Sequence, residues 1–528
     1  MLTITDPART APNRPHRRWW ALGALTFSVL IVGLDSTIIN VALPTLAREL
    51  GADTAQLQWI SGGYLLALSA AMLPVGVLGD RYGHKRLLVA GMALFGFGSL
   101  VGVWSGTPSE VIAVRVVLGV GAAAILPLSM AILPRIFDAE ELGKAIGIWT
   151  AATALGLPVG PVVGGWLLNH FWWGSILAFN VPVVVVAMVA SLVLLPSDRS
   201  RATAAAARPA PFDVLGTVLS ALGITAVVYG TIRVPNDGWG SLGVLAPLVA
   251  GAVLLVAFVL RQRRFSHPLV DLGLFADPRF RWGTLLAVFV NFTATGILFV
   301  VPQYLGGVLG QDAFGTGLRV LPLIGGLMVA ATLGETLVPR IGARVVIPTG
   351  LAMLAAGALI GAATGIGDGY GFTVGWLTIT GFGFGLAVVP ATSLVLSSLP
   401  KDGAGSGTSL LETLQQVGGV LGGAGLGSLL SYGFLDRLSV AGLPGPAAET
   451  ARGSVTAADA VAGELHSPDL LASAHAAFIH GMSLILIVCG VISVIAVAVG
   501  VRFLPGRPAA PVTEDLVTGT AERGESRV

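Results

Sequence analysis

An all-α polytopic membrane protein with fourteen transmembrane helices is predicted here, and three observations carry the prediction. Of 528 residues, 54% are apolar and only 11% charged, against about 45–50% and about 25% in a soluble domain. Apolar runs long enough to cross a hydrocarbon core of about 30 Å recur along the chain. The basic residues, finally, gather in alternate connections between those runs. The same composition excludes other classes. The 72 Gly follow no G-X-Y period, which removes collagen and low-complexity readings. A net charge of +2 is far too small for a nucleic-acid binder. Cys489 is the one cysteine, so neither an internal disulfide nor a cysteine-based metal site is possible.

The runs extend over residues 19–41, 56–78, 87–104, 109–131, 144–166, 175–195, 214–232, 241–260, 282–302, 315–338, 345–363, 372–395, 405–430 and 478–501. The first follows Arg9, Arg14, Arg17 and Arg18 as a signal peptide would, but it is too long and no small-residue cleavage site ends it, so a retained span is expected. An even count puts both termini on one side. Only Arg48, Arg233, Arg319, Arg437 and Arg452 fall on the opposite side, with Arg115 inside a span; the other Lys and Arg residues share the terminal side. Both termini are therefore expected in the cytoplasm of a multi-pass cell-membrane protein. Residues 431–477 form the one long connection, with Pro444, Pro446, Glu449, Asp459, Glu464 and Asp469, and read as a flexible outer loop. Residues 1–18 and 504–528 read as disordered tails.

The chain repeats itself. Pro127-Leu-Ser-Met-Ala-Ile-Leu133 is echoed by Pro390-Ala-Thr-Ser-Leu-Val-Leu396, and the same offset carries Gly156 onto Gly419 and Gly160 onto Gly423. Earlier in each half, Arg81-Tyr-Gly-His-Lys85 matches Arg340-Ile-Gly-Ala-Arg344. Two parallel six-helix bundles follow, residues 19–195 and 265–503, separated by a linker and two inserted helices in 196–264.

Ionisable residues inside spans cost about 2.5–3.5 kcal/mol each on insertion scales, so each is a functional candidate. Asp35 lies roughly 24 Å along the first span from the terminal side, and Arg115 roughly 9 Å into the fourth from the opposite side. In a core about 30 Å thick the two thus share nearly one depth. A carboxylate raised by desolvation and lowered by a guanidinium is suited to load and release a proton. Glu412 in the thirteenth span, with Gln415 and Gln416 one turn on, is a second protonatable candidate. Glu335 and Arg319 are read as interface residues at the two ends of the tenth span, and Asp213 as a helix N-terminal carboxylate. Gly156, Gly160 and Gly164, with Pro161 and Gly165 beside them, make a small-residue face that admits a close helix neighbour. Tyr64, Trp149, Asn291, Gln303, Gln415 and Gln416, together with Trp59, are candidate substrate contacts.

These residues resemble a known family. Gly76-Val-Leu-Gly-Asp80-Arg81-Tyr-Gly83-His-Lys85-Arg86 is similar to the signature loop of the major facilitator superfamily. Leu34 to Pro44 resembles the first-span motif of its 14-span drug/proton antiporter branch; Arg115, Gly119 and Gly121 resemble the fourth-span motif. Gly156 to Gly165 resembles the antiporter-associated fifth-span motif, and Pro268 to Phe275 the connection before the ninth span. The second span carries no acid, and Ala294 stands where the repeat would place a counterpart of Asp35.

The resemblance implies the major facilitator fold and alternating access, with the Gly76–Arg86 loop gating and protons entering through Asp35 and Arg115 to drive export of a lipophilic compound. A functional monomer without organic cofactor or metal is expected, its partners being a lipophilic substrate, protons and the bilayer. A dedicated exporter of one metabolite, peptide or lipid-like compound is the alternative. A membrane enzyme is not expected: His170, His466, His475 and His480 have no paired nucleophile, and no phosphate-binding glycine loop occurs.

Overall fold

The computed structural model describes residues 15–196, 213–265, 268–400 and 404–505. Both tails and most of the linker lie outside these, and with them the disorder expected of the ends. Fourteen of the described helices are long and apolar enough to cross a membrane. They are α1 (Pro15–Glu49), α2 (Thr54–Tyr82), α3 (His84–Gly102), α4 (Pro108–Ile136), α5 (Ala139–His170), α6 (Ser175–Leu194), α7 (Val214–Asp237), α8 (Leu242–Arg264), α9 (Pro278–Gly307), α10 (Ala313–Ile341), α11 (Ala343–Ala362), α12 (Tyr370–Ser398), α13 (Ala404–Arg437) and, after two short helices, α16 (Pro468–Phe503). Helix starts are encoded locally. Asp53 with Gln56, and Thr107 with Glu110, form reciprocal capping boxes at α2 and α4, each satisfying two otherwise unpaired amides.

The two bundles repeat one packing pattern eight spans apart. In the first, α1 packs on α5 and α6, α2 on α4, and α3 on α4 and α6; in the second, α9 packs on α13 and α16, α10 on α12, and α11 on α12 and α16. The bundles meet along two seams related by the same pseudo-symmetry, α2 on α13 and α5 on α10. The α7–α8 hairpin leans on the first seam, with α7 against α2 and α13. On α8 the side chains of Leu242, Val249, Val253 and Val256 are exposed, as a lipid-facing surface requires.

Two expectations need correction. The last transmembrane helix begins at Pro468 rather than 478, because Ser467 caps it by accepting from the Leu470 amide and Pro468 suits the first turn. The preceding connection is not a flexible tether. It folds into α14 (Gly445–Gly453) and α15 (Val455–Glu464), which bury Ala448, Ala451, Val455 and Ala458. Val455 meets Gly307 at the end of α9. His475 of α16 pairs with Asp459 of α15 at 3.2 Å; burial pushes the Asp459 carboxyl up while His475 opposes the shift.

Where α7 begins, Asp213 does more than cap. Its carboxylate accepts from the Gly216 amide at 2.8 Å, Arg261 Nε at 2.8 Å and Gln262 Nε2 at 3.0 Å, and Gln262 Oε1 in turn accepts from the Leu269 amide at 2.6 Å. One carboxylate thus ties α7, α8 and the segment leading to α9. Burial would raise its pKa, but the bonds from Arg261, Gly216 and Gln262 outweigh burial and hold it below the ordinary carboxylate range. The stabilisation is therefore complete above the ordinary carboxylate pKa and lost only as pH falls through the depressed one. Asp213→Ala should lower stability by about 3 kcal/mol at neutral pH, measured as an earlier thermal transition in detergent; an unchanged transition would remove the knot from the account.

Candidate functional site

The densest polar constellation inside the first bundle centres on Asp35, which is fully buried on α1. Arg115 on α4, 1% exposed, donates from Nη1 to Asp35 Oδ2 at 2.6 Å. Asn180 on α6 donates from Nδ2 to Asp35 Oδ1 at 2.7 Å. The shared depth read from the sequence is thus realised as a direct ion pair. Arg115 has two further supports: Nε donates to the Ile60 carbonyl at 3.1 Å, and the guanidinium lies 4.3 Å from the Tyr64 ring centroid. Tyr64 is fully buried and so belongs to the wall of the ion pair. Its hydroxyl donates to the Val32 carbonyl at 3.4 Å. Asn180 Oδ1 is buried without a partner among the described residues. An amide holds a donor and an acceptor on one group, so Asn180 can serve either protonation state of Asp35.

The glycines of α5 set where this carboxylate stands. A Cβ on Gly156 would lie 2.8 Å from backbone atoms of Leu30, Gly33 and Leu34; on Gly160, 2.8 Å from the Leu34 carbonyl; and on Gly164, 2.6 Å from the Ile38 side chain. The three therefore hold the Asp35 segment of α1 against α5 at backbone distance. Gly165 borders open space, and Pro161 lies inside the helix. Gly419 and Gly422 repeat the contact in the second bundle, against Asn291 and Phe292 of α9.

Glu412 is 9% exposed on α13. Ser409, Glu412 and Gln416 share a face by their spacing, and Ser409 meets Gly76 of α2, so Glu412 sits on the inter-bundle face. Gln415 Nε2 has no partner among the described residues, while the Gln415 backbone carbonyl accepts from Asn291 Nδ2 at 2.6 Å. Trp149 donates to Ser129 Oγ at 3.0 Å, and Gln303 to the Phe299 carbonyl one turn back. An apolar groove of about 600 Å³ lies between α2, α4, α7 and α8, lined by Trp59, Ala70, Val116, Tyr229, Pro247 and Leu254. Of the predicted substrate contacts, Trp59 lines it, stacked on Tyr229 at 5.8 Å.

The signature loop stands at the face that carries the start of α1. Asp80 Oδ1 accepts from the Gly405 amide at 2.8 Å and Oδ2 from the Ser406 amide at 2.7 Å. A carboxylate of one bundle thus caps the first turn of α13 in the other, where free amides and the helix dipole favour negative charge. His84 Nε2 approaches the same carboxylate at 3.2 Å. A Cβ on Gly76 would reach the Gly405 carbonyl at 2.7 Å, so only glycine allows this approach. Gly83 turns the chain at φ +101. Lys85 donates to the Leu192 and Leu195 carbonyls at 2.7 Å, closing the end of α6. Arg81 lies beside the Tyr82 ring, and Arg86 is exposed.

Sequence reasoning passed over Asn180. The signal was present, since it is the one amide in the apolar run of α6, but a neutral amide costs far less in a span than a charge.

Comparisons with known proteins bear on family and fold. The family model described as Major Facilitator Superfamily matches residues 25–423. The tetracenomycin C resistance and export protein of Streptomyces glaucescens is 35% identical over 535 residues, covering 98% of this chain and 97% of that protein. The multidrug efflux pump LfrA of Mycolicibacterium smegmatis is 30% identical over 510 residues, covering 95% and 100%. Among solved structures, the proton:xylose symporter XylE has the same fold with a TM-score of 0.59 at 14% identity, covering 93% of this chain and 96% of that one.

Proposed function

The chain belongs to the major facilitator superfamily, and from that premise we propose that it is a proton-coupled antiporter exporting lipophilic drugs or antibiotics from the cytoplasm or inner leaflet. The observation that carries the proposal is the buried Asp35–Arg115–Asn180 cluster, whose members come from α1, α4 and α6. Export as such is supported by the two relatives, one named for tetracenomycin C and the other for multidrug efflux. The distribution of Arg and Lys supports an orientation with both termini in the cytoplasm, and in that orientation the face closed by Asp80 is the cytoplasmic one.

In this reading ionised Asp35 is stabilised by Arg115 and the Asn180 amide. Protonation from the outside neutralises it, and Arg115 falls back on the Ile60 carbonyl and the Tyr64 ring, so the guanidinium is never stranded. Turning the Asn180 amide presents Oδ1 to the new carboxylic acid. The bundles then rock, the Asp80 cap on α13 parts, and the proton leaves to the cytoplasm as substrate is taken up. Asn180→Leu should keep the ion pair and slow gradient-driven export by about tenfold or more, since one hydrogen bond to a charged group is worth about 1.5–3 kcal/mol; unchanged export would exclude the amide from coupling.

The test is efflux of several unrelated lipophilic dyes from cells expressing the protein, with and without a protonophore. Export that stops when the proton gradient is dissipated supports the proposal, and export that continues overturns it. The relative named for a single compound favours a second reading, a dedicated exporter, which predicts that no dye in the set is exported.

A further inference from the structure

The second seam holds an acid that the coupling cluster does not use. The repeat offset that carries Arg81 onto Arg340 carries Gly76 onto Glu335 and Asp80 onto Pro339. The acid at this seam thus stands one turn earlier on α10 than Asp80 does on α2. The structure keeps Glu335 near the inner end of α10, as read from the sequence, and turns it toward the other bundle. A Cβ on Gly143 of α5 would coincide with the Glu335 carboxyl, and one turn further Gly147 meets Ala331 at 2.8 Å. The two acids are treated differently. Asp80 receives two amides, whereas Glu335 Oε1 is shut from solvent with no hydrogen-bond partner among the described residues.

Among the described residues no cation is seen paired with it. On α5, Glu141 pairs with Arg18, and Lys144 lies over the Trp19 ring. On α11, Arg344 donates to the Val501 carbonyl; on α9, Arg279 is exposed and Arg281 lies beside Trp282. Arg340, further along α10, is exposed, and α12 brings the Ser393 side chain. Among the described residues no ion pair includes Glu335. An ionised carboxylate wedged on a glycine, with the Ser393 side chain beside it but no cation paired to it among the described residues, is strongly unfavourable, while the neutral acid is tolerated.

We propose that Glu335 is a protonation-controlled latch of the α5–α10 seam: neutral when the seam is shut, ionised and hydrated when it parts. Its proton exchanges with the side on which the seam opens, which is the cytoplasm under the orientation of the proposed function. Acidification of the cytoplasm then holds the transporter shut on that side and limits further proton entry. Asp80 at the α2–α13 seam, held by two amides, lacks this sensitivity.

The test reads conformation directly, with neither substrate nor gradient, so it stands or falls apart from proton-coupled export. Spin labels at Lys144→Cys and Arg340→Cys, in a Cys489→Ala background, report the width of the seam by pulsed electron resonance as pH is varied. Without further change the distance distribution should move from short to long as pH rises. Glu335→Gln, a neutral isostere, should stay short throughout, and Gly143→Ala, whose methyl takes the carboxyl's place, should stay long throughout. A seam that ignores pH without further change, or that opens with the same midpoint in Glu335→Gln, overturns the proposal.

Discussion

Asp35→Asn is expected to abolish gradient-driven export, with accumulation against a concentration gradient falling by about two orders of magnitude or more, while substrate binding persists. An amide is close in size to the carboxyl and can still accept from Arg115, but it does not titrate, so the cycle loses its proton step. Stranding Arg115 opposite a neutral group would cost about 3–5 kcal/mol if nothing else held the guanidinium. The Ile60 carbonyl and the Tyr64 ring do hold it, and the variant should therefore fold and reach the membrane. The check is dye accumulation in inverted vesicles under an imposed pH gradient, normalised to protein level, beside binding of the same dye measured at equilibrium. Loss of both together would point to a folding defect, and retention of accumulation would remove Asp35 from coupling.

Asp80→Asn is expected to unlatch the closed face. The carboxylate caps α13 through two amides, and replacing one oxygen by an NH2 group leaves one amide facing a donor. Charge-assisted bonds are worth about 1.5–3 kcal/mol; a loss of about 2 kcal/mol shifts a two-state equilibrium roughly thirtyfold toward the state in which that face is open. The measurement is the labelling rate of a cysteine introduced on the α13 face at Gln416, which should rise by about that factor. An unchanged rate would mean that the cap does not contribute to closure. Gly76→Leu should act in the same direction, since no side chain fits between α2 and the Gly405 carbonyl.

The legible part of this fold was the part with strong physical contrast. A charge in an apolar run is expensive, so Asp35 and Arg115 stood out, and helical rise alone put them at one depth. The glycines spaced by four on α5 announced a close neighbour but not which one; that it is the Asp35 segment of α1 is a tertiary fact. Asn180 was missed because a neutral amide has weak contrast. The outer connection was misread for a related reason. Its buried stripe is Ala448, Ala451, Val455 and Ala458, too small to register as apolar periodicity beside prolines and acids. The neighbours of Tyr64 and Glu335 were not legible because depth along a helix does not reveal azimuth: the first faces Arg115, the second faces Gly143.

The most direct test of Asp35 as the proton-coupling site is proton flux itself. Proteoliposomes carrying an internal pH indicator receive a substrate gradient but no pH gradient, and proton movement against substrate movement is recorded for the unmodified protein and for Asp35→Asn. The account predicts proton flux opposite to substrate flux in the first and substrate movement without proton flux, or none at all, in the second. Equal proton flux in both would contradict it.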